Sequence, residues 1–208
     1  MPQELLSCNN LSYHIGFKKI LKNVSFRLYE NELISLVGDN GSGKSSLLKL
    51  ILSHKKYTDT FQWKVSSPKR QLISYLGHEP GLYSSLSLKE NLSYFNGIQK
   101  IICPEETIQY YLQQFNLQKR YLDPIHEFSR GMKQKAGLIR SFISKPLLLL
   151  LDEPFSGLDR KSVQHLVEIL KEVKKESTVI LVTHHVDLIE SISNRTFYMK
   201  SGELTLGS

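Results

Sequence analysis

A glycine-rich turn that leads into a lysine is the part of the sequence with the clearest chemistry. The segment GDNGSGKSS follows an apolar run and precedes a helical pattern. Its glycines let backbone N–H groups surround phosphate oxygens, its lysine reaches the β- and γ-phosphates, and the serine hydroxyl after it can bind Mg²⁺. The positive end of the following helix would face the same anion. The segment therefore predicts a triphosphate site, whose candidate residues are Gly38, Asp39, Asn40, Gly41, Ser42, Gly43, Lys44, Ser45 and Ser46.

Two adjacent acids follow the most apolar run of the chain. Asp152 and Glu153 come directly after LLLLL, which ends at Leu151. Next to a phosphate loop, a carboxylate oxygen is a natural ligand for Mg²⁺, and we assign that role to Asp152. Glu153 can lie near the γ-phosphate and orient or deprotonate an attacking water. The alternative is a strand that ends in two solvated acids, and the phosphate loop favours the first interpretation.

Two further features are candidate phosphate contacts. Ser129, in FSRGMKQKAG, is a plausible N-cap of a helix that runs to about Ser144, and with Gly131 it could form a second anion-binding helix start. An ordinary capped helix is the alternative. His184 follows the apolar run TVILVT and could hydrogen-bond a γ-phosphate oxygen.

The surrounding pattern predicts an α/β fold. Short strands occupy residues 1–30 and 60–65, a strand leads into the phosphate loop, and residues 77–144 have helical stripes typical of an insertion. From residue 145 onwards, apolar strands alternate with amphipathic helices and end in a hairpin. Strands that are apolar at every position belong in a parallel sheet covered on both faces. Ligands bind at the carboxyl ends of such strands, where Asp152 and Glu153 would lie.

Composition bounds the possible partners. The chain has 208 residues and a net charge of +7, which suits anionic partners. Its basic residues form no stripe interleaved with aromatic residues, so we expect no nucleic-acid partner. No segment approaches the ~20 apolar residues of a membrane span, and we expect a cytoplasmic protein. Cys8 and Cys103 are expected to be free thiols.

The order of these motifs resembles that of the ATP-binding cassette (ABC) ATPases over nearly the whole chain. The order is the phosphate loop, FSRGMKQ, LLLLLDEP, SGLD and then TH. The resemblance implies a P-loop NTPase core, with a mostly parallel sheet and an antiparallel β subdomain, and a helical subdomain inserted into it. In a single domain of residues 1–208, the core would comprise residues 1–76 and 145–208 and the helical subdomain about 77–144. It also implies that the bound cofactors are ATP and Mg²⁺.

The same resemblance implies roles for individual residues. Lys44, Glu153 and His184 would be catalytic, with Glu153 as the base and His184 as the switch histidine. Ser129 and Gly131 stand where the family's signature motif contacts phosphate, and Asp159 is similar to the D-loop aspartate.

It implies partners as well. Two cassettes of this family meet head to tail, so the active state would be a homodimer. A separate integral membrane permease would dock between Gly77 and Asn91, on the cytoplasmic face of the inner membrane.

The sequence departs from the family pattern at three places. The signature LSGGQ reads FSRGM, with Arg130 in place of a glycine. The customary adenine-stacking position falls on Ile15, between Tyr13 and Phe17, and we assign the contact to Tyr13. His78 stands where a glutamine is usual, and an imidazole there could contact the nucleotide, the Mg²⁺ site or the attacking water, so we place His78 with Ser45 and Asp152 among the candidate metal residues.

The segment GHEPGLY…LSLKENLSYF is similar to the G-H-x-P…E-N-L pattern of ATP-binding subunits of haem exporters in c-type cytochrome biogenesis. That resemblance implies a haem exporter. The alternatives are another exporter of the ABC-2 type and a soluble ABC ATPase that does not act in transport. A phosphate-loop kinase is a further class, and it would lack the signature helix.

Overall fold

The computed structural model describes residues 3–64, 73–100 and 102–207, which form two β-sheets with helices packed around the larger one. The two sheets and the helices match the predicted α/β class. Val65, the last residue of the strand predicted at 60–65, lies outside the described residues. No helix within the described ranges has the length and apolar character needed to cross a membrane.

The larger sheet is parallel except at one edge. Its strand order is β5-β6-β7-β3-β8-β9, and every neighbouring pair is parallel except β8 with β9. The strands β6 and β7 are buried at every position, as expected for central strands of a parallel sheet. The strands are β3 (Leu33–Val37), β5 (Ile73–Leu76), β6 (Leu148–Asp152), β7 (Thr178–Val182), β8 (Arg195–Lys200) and β9 (Glu203–Leu206).

The leucine run has a simple packing explanation. Successive side chains of a strand point to opposite faces of its sheet. Leu149 and Leu151 accordingly belong to one hydrophobic core, and Leu148 and Leu150 belong to the other. Because both faces of β6 are covered, its positions from Leu148 to Leu151 are all apolar.

A smaller antiparallel sheet packs beside the larger one. It has the order β2-β1-β4, and a tight turn at Gly16 joins its two long strands. This sheet forms the predicted strands of the first 30 residues and shares a core with the first helix. Its strands are β1 (Glu4–Ile15), β2 (Lys18–Tyr29) and β4 (Phe61–Trp63).

The helices follow the predicted arrangement, with α2, α3 and α4 all within residues 77–144. The predicted stripes face the core, where Ile108, Leu112, Ala136 and Ile139 are buried. Short 3₁₀ turns occupy His54–Lys56, Gln118–Arg120 and Ile125–Glu127. The helices are α1 (Lys44–Leu52), α2 (Leu88–Gln99), α3 (Glu105–Gln114), α4 (Arg130–Phe142), α5 (Arg160–Val173) and α6 (Val186–Ile189).

The strand β5 was not predicted. It has four residues, ISYL, and a serine and a tyrosine interrupt its apolar pattern. Its identity as a strand depends on parallel pairing with β6, from Ile73 opposite Leu148 to Leu76 opposite Leu151. A short edge strand of this kind is defined by its neighbour and not by a local pattern.

Candidate functional site

The glycine-rich loop connects the end of β3 to the start of α1. Two of its glycines are required by both conformation and packing. Gly38 has φ 148°, and a Cβ there would lie 2.0 Å from the backbone oxygen of Met199. Gly43 has φ 113°, and a Cβ there would lie 2.8 Å from Leu21. The loop is therefore held against β2 and β8 in a shape that a side chain at either position would disturb.

Lys44 begins α1 and is buried in the loop. Its Nζ donates hydrogen bonds to the backbone oxygens of Gly38 at 2.6 Å and of Asp39 at 2.9 Å. No acidic residue lies in the first turn of α1, so the positive end of the helix is not offset locally. The buried Ser42 hydroxyl has no hydrogen-bond partner among the described residues. An ammonium group, a helix start and a free hydroxyl donor suit a phosphate group.

The two acids lie at the carboxyl end of β6. Asp152 is the last residue of the strand and is buried. The Glu153 backbone N–H donates to the oxygen of Val182 at 2.9 Å, which ties this residue to the end of β7. The Tyr75 hydroxyl on β5 donates to Asp152 Oδ2 at 3.5 Å. Burial, with a smaller contribution from Asp152, raises the pKa of Tyr75 to about 12, so this hydroxyl stays a donor at neutral pH.

One cleft of about 330 Å³ brings the loop and the acids together. Nine of the predicted site residues line it, and so do three residues that were not predicted. The lining residues are Lys18, Ile20, Asn40, Gly41, Gly43, Lys44, Ser45, Ser46, Asp152, Glu153, Val182 and His184.

The oxygen atoms of Ser45 and Asp152 suit Mg²⁺, which prefers hard oxygen ligands. No cluster of three or more His, Cys, Asp or Glu residues able to hold a metal occurs in the described part of the chain. A Mg²⁺ ion at this cleft would therefore take most of its ligands from phosphate and water, as this ion usually does.

Glu153 has an unusual electrostatic environment. Burial raises its pKa above the ordinary value of 4.5, while His184 and Lys44 act in the opposite direction. The His184 Nε2 atom lies 3.3 Å from Glu153 Oε1, within ion-pair distance. The same Oε1 atom accepts no hydrogen bond from the described residues. A half-buried carboxylate that lines the same cleft as the phosphate loop is well placed to accept a proton.

The remaining predicted residues lie outside this cleft. Gly38, Asp39 and Ser42 belong to the same loop without lining the cavity. His78 is exposed in the segment after β5. Tyr13 packs against the core that the small sheet shares with α1. The others, Ser129, Gly131 and Asp159, lie at the starts of α4 and α5.

Sequence reasoning missed Lys18, Ile20 and Val182. Lys18 belongs to the pair Lys18-Lys19, which looks like an ordinary solvated cluster in the sequence. The hairpin between β1 and β2 brings it to the cleft, and the preceding Phe17 is fully exposed. The signal that could have indicated this edge is an aromatic residue beside two lysines, between two segments predicted to be strands.

The start of α4 has the predicted cap and an unexpected contact. The Ser129 hydroxyl accepts a hydrogen bond from the Met132 N–H at 3.3 Å, which confirms Ser129 as the N-cap. The Arg130 guanidinium donates to Ser156 Oγ at 2.8 Å. The side chain that replaces the usual glycine is therefore directed towards the segment after β6 of its own chain.

Asp159 is the N-cap of α5. Its side chain accepts from the N–H of Ser162 at 2.9 Å and from the Ser162 hydroxyl at 2.7 Å. These two bonds hold the pKa of Asp159 below its usual value. The Lys135 ammonium on α4 lies 4.0 Å away.

Known proteins share this architecture and this sequence. The family model described as ABC transporter matches residues 21–156. A solved structure described as the ATP binding subunit of an ABC transporter superimposes with a TM-score of 0.83 and 27% identity, over 98% of this chain and 90% of the other.

Curated relatives agree with that match. An uncharacterised ABC transporter ATP-binding protein of Methanocaldococcus jannaschii is 34% identical over 95% of this chain and 75% of its own length. The lantibiotic transport ATP-binding protein SrtF of Streptococcus pyogenes is 31% identical, with 97% and 90% covered. The ergothioneine transport ATP-binding protein EgtV of Helicobacter pylori is 30% identical, with 96% and 99% covered. With the family model covering more than half of its length, this chain belongs to the ABC transporter family as an ATP-binding subunit, an ATPase coupled to transport.

Proposed function

We propose that the chain hydrolyses ATP in the cleft between the glycine-rich loop and the acids at the end of β6, as a homodimer that drives a separate membrane permease. The observation that carries the proposal is the convergence of Lys44, Asp152 and Glu153 on one cavity. These residues come from distant parts of the chain, and a triphosphate needs a cation, a metal ligand and a base at one place.

Each side chain has a defined part in the reaction. The loop N–H groups and Lys44 hold the β- and γ-phosphates, and Ser45 and Asp152 would hold Mg²⁺. When bound, Mg²⁺ neutralises charge on the phosphate oxygens. Glu153 takes a proton from the water whose oxygen attacks the γ-phosphorus, and ADP leaves with the electrons of the broken P–O bond. His184 donates a hydrogen bond to a γ-phosphate oxygen.

The support for a dimer comes from predicted phosphate contacts that do not line the cleft of their own chain. Ser129 and Gly131 begin a helix that can bind an anion, yet they lie away from the cleft of their own chain. Ser129 and Asp159 are exposed, so a second molecule can approach both. We assign them to the ATP held by the partner cassette.

Glu153→Gln tests the reaction and the dimer together. Glutamine keeps the shape but cannot accept the proton, so hydrolysis should fall about 100-fold or more while ATP still binds. ATP that is not hydrolysed should hold the two cassettes together, and light scattering after gel filtration should show a dimer. Parent-level turnover would remove Glu153 as the base, and a monomer at saturating ATP would contradict the dimer.

The permease would dock at residues 77–91. Asn91 is buried and holds this segment in place: its side chain accepts from the Tyr83 N–H at 2.8 Å and donates to the oxygens of Tyr83, Leu86 and Ser87. The rings of Tyr83 and Tyr94 are half exposed and pack edge to face, with 4.9 Å between their centroids. A rigid loop that presents aromatic rings is a suitable surface for another protein. Docking there would keep the chain at the cytoplasmic face of the membrane.

For the cargo we propose haem, and the support is the similarity of the segment around His78 to haem exporters of c-type cytochrome biogenesis. The relatives named for lantibiotic and ergothioneine transport favour a different cargo as the alternative. Purifying the tagged chain from membranes in mild detergent, and identifying the membrane protein that comes with it, separates the two. ATPase activity of that complex stimulated by haem supports the proposal; stimulation by a lantibiotic or by ergothioneine contradicts it.

A further inference from the structure

Gln134 is a buried residue of the signature helix α4, and its side-chain amide contacts the segment that carries the catalytic acid. It is 4% exposed. Its Nε2 atom donates to the backbone oxygen of Pro154 at 3.1 Å and to that of Glu153 at 3.4 Å. The two bonds join the middle of α4 to residues that directly follow β6.

The backbone that Gln134 contacts has an uncommon conformation. Glu153 has φ 54°, in the left-handed region that side chains rarely adopt. Its carbonyl also accepts from the Ser156 N–H at 3.1 Å. Among the described residues, Gln134 is the hydrogen-bond donor to the Pro154 carbonyl. The direction of the Glu153 side chain therefore depends on a backbone turn that the Gln134 amide helps to hold.

Three other contacts join α4 to residues 153–159, which we call the catalytic segment. The Arg130 guanidinium donates to Ser156 Oγ at 2.8 Å. A Cβ at Gly131 would lie 2.7 Å from the backbone oxygen of Gly157, so only glycine allows this approach. Lys135 lies 4.0 Å from Asp159. A helix packed this closely cannot shift by an ångström without moving the catalytic segment.

We propose that Gln134 is a positioning residue for Glu153, and that it couples the two ATP sites of a dimer. This inference depends on the proposed dimer. The start of α4 contacts the ATP bound by the partner cassette, while Gln134 on the same helix sets the carboxylate that acts on the ATP of its own cassette. Closure on one nucleotide thereby aligns the base at the other.

Gln134→Met is the direct test, because methionine fills a similar volume and has no N–H group. ATP hydrolysis is measured over a range of ATP concentrations with the dimeric parent as reference. A base displaced by about 1 Å should lower kcat about tenfold or more. We expect KM to stay within about twofold, since the phosphate loop is unchanged, and the Hill coefficient to fall from above one to about one. Gln134→Leu likewise has no donor, so it should show the same change.

The matched control is Gln109→Met on α3. Gln109 is exposed, and its amide donates to Glu105 at 2.7 Å, so the same substitution removes a hydrogen bond far from the site. It should leave kcat and the Hill coefficient at the parent values. If the parent is cooperative and the Gln134 variants keep its kcat and Hill coefficient, the proposed coupling is wrong, whereas the proposed dimer is unaffected. Equal losses of kcat, thermal stability and ATP affinity would show that Gln134 has a structural role only. A parent that never dimerises would overturn the proposed dimer itself.

Discussion

His184 Nε2 lies 3.3 Å from Glu153 Oε1, across the ends of two parallel strands. Glu153 follows β6 and His184 follows β7, and the register of these strands places Asp152 opposite Val182. The two side chains therefore meet because neighbouring parallel strands end at the same edge. The contact joins the proposed base to the residue proposed to touch the γ-phosphate.

The pair predicts a pH dependence. Glu153 can accept a proton only when it is ionised, and burial raises its pKa above 4.5. Activity should therefore fall as the pH drops through a value above 4.5. His184 lowers the pKa of Glu153, so His184→Ala should move this acid limb to higher pH. The measurement is kcat/KM as a function of pH, with the exposed His14→Ala as control. If the acid limb of the pH profile moved to lower pH in His184→Ala, His184 would not be lowering the pKa of Glu153.

Lys44→Ala should abolish tight ATP binding. Lys44 is buried beside the glycine-rich loop. The substitution removes its ammonium group and with it a charge-assisted contact to the β- and γ-phosphates. We expect at least about a tenfold loss of affinity, measured by titration calorimetry. Lys49→Ala removes an exposed lysine from the same helix and should bind ATP as the parent does. Equal affinities for the two variants would exclude the loop as the phosphate site.

The variants Tyr13→Ala and Phe17→Ala can show which ring contacts the adenine. Tyr13 is our predicted contact, and the alternative ring is Phe17, which is fully exposed and directly precedes the cleft residue Lys18. Removing the stacked ring should cost about 1 kcal/mol or more in ATP affinity, which is about fivefold. Tripolyphosphate has no adenine, so the variant that lacks the stacking ring should bind it as the parent does. Loss of affinity for both ligands in Tyr13→Ala would indicate a packing defect, because this ring contacts the core.

His78→Gln restores the residue that is usual in the family. His78 is exposed after β5 and does not line the cleft in this conformation. If it only replaces the glutamine contact, ATP hydrolysis should stay within about threefold of the parent. The informative assay compares the isolated chain with the permease complex. Complete inactivation of the isolated chain would show that the imidazole has a task that an amide cannot perform.

Arg195 and Glu32 form the most buried ion pair among the described residues, so truncation of Arg195 should cost more stability than truncation of the other paired cations. Its guanidinium pairs with the buried Glu32 and lies over the ring of Tyr29 at 5.1 Å. Arg195→Met leaves the Glu32 carboxylate without its cation, at a cost of about 3 kcal/mol in the free energy of unfolding. Adding Glu32→Gln should recover part of that loss in urea titrations. A double variant less stable than Arg195→Met would contradict this reason.

The local chemistry of this protein could be predicted from its sequence. The glycine-rich loop, the leucine run with its two acids and the N-cap at Ser129 are each encoded within about ten consecutive residues. Their order along the chain also indicated the family, which the matching model and relatives show. These signals are readable because each depends on neighbours in sequence, through backbone conformation, strand burial or helix capping.

The tertiary structure decided what distant segments do to one another. The pairing of β5, the arrival of Lys18 at the cleft, the contact of His184 with Glu153 and the amide bonds of Gln134 join residues far apart in the chain. None has a local pattern, because a hydrogen bond between separate elements depends on the register and packing of both. The sequence by itself determined which groups can act on a phosphate, and the packing of the sheet and α4 determined which of them meet.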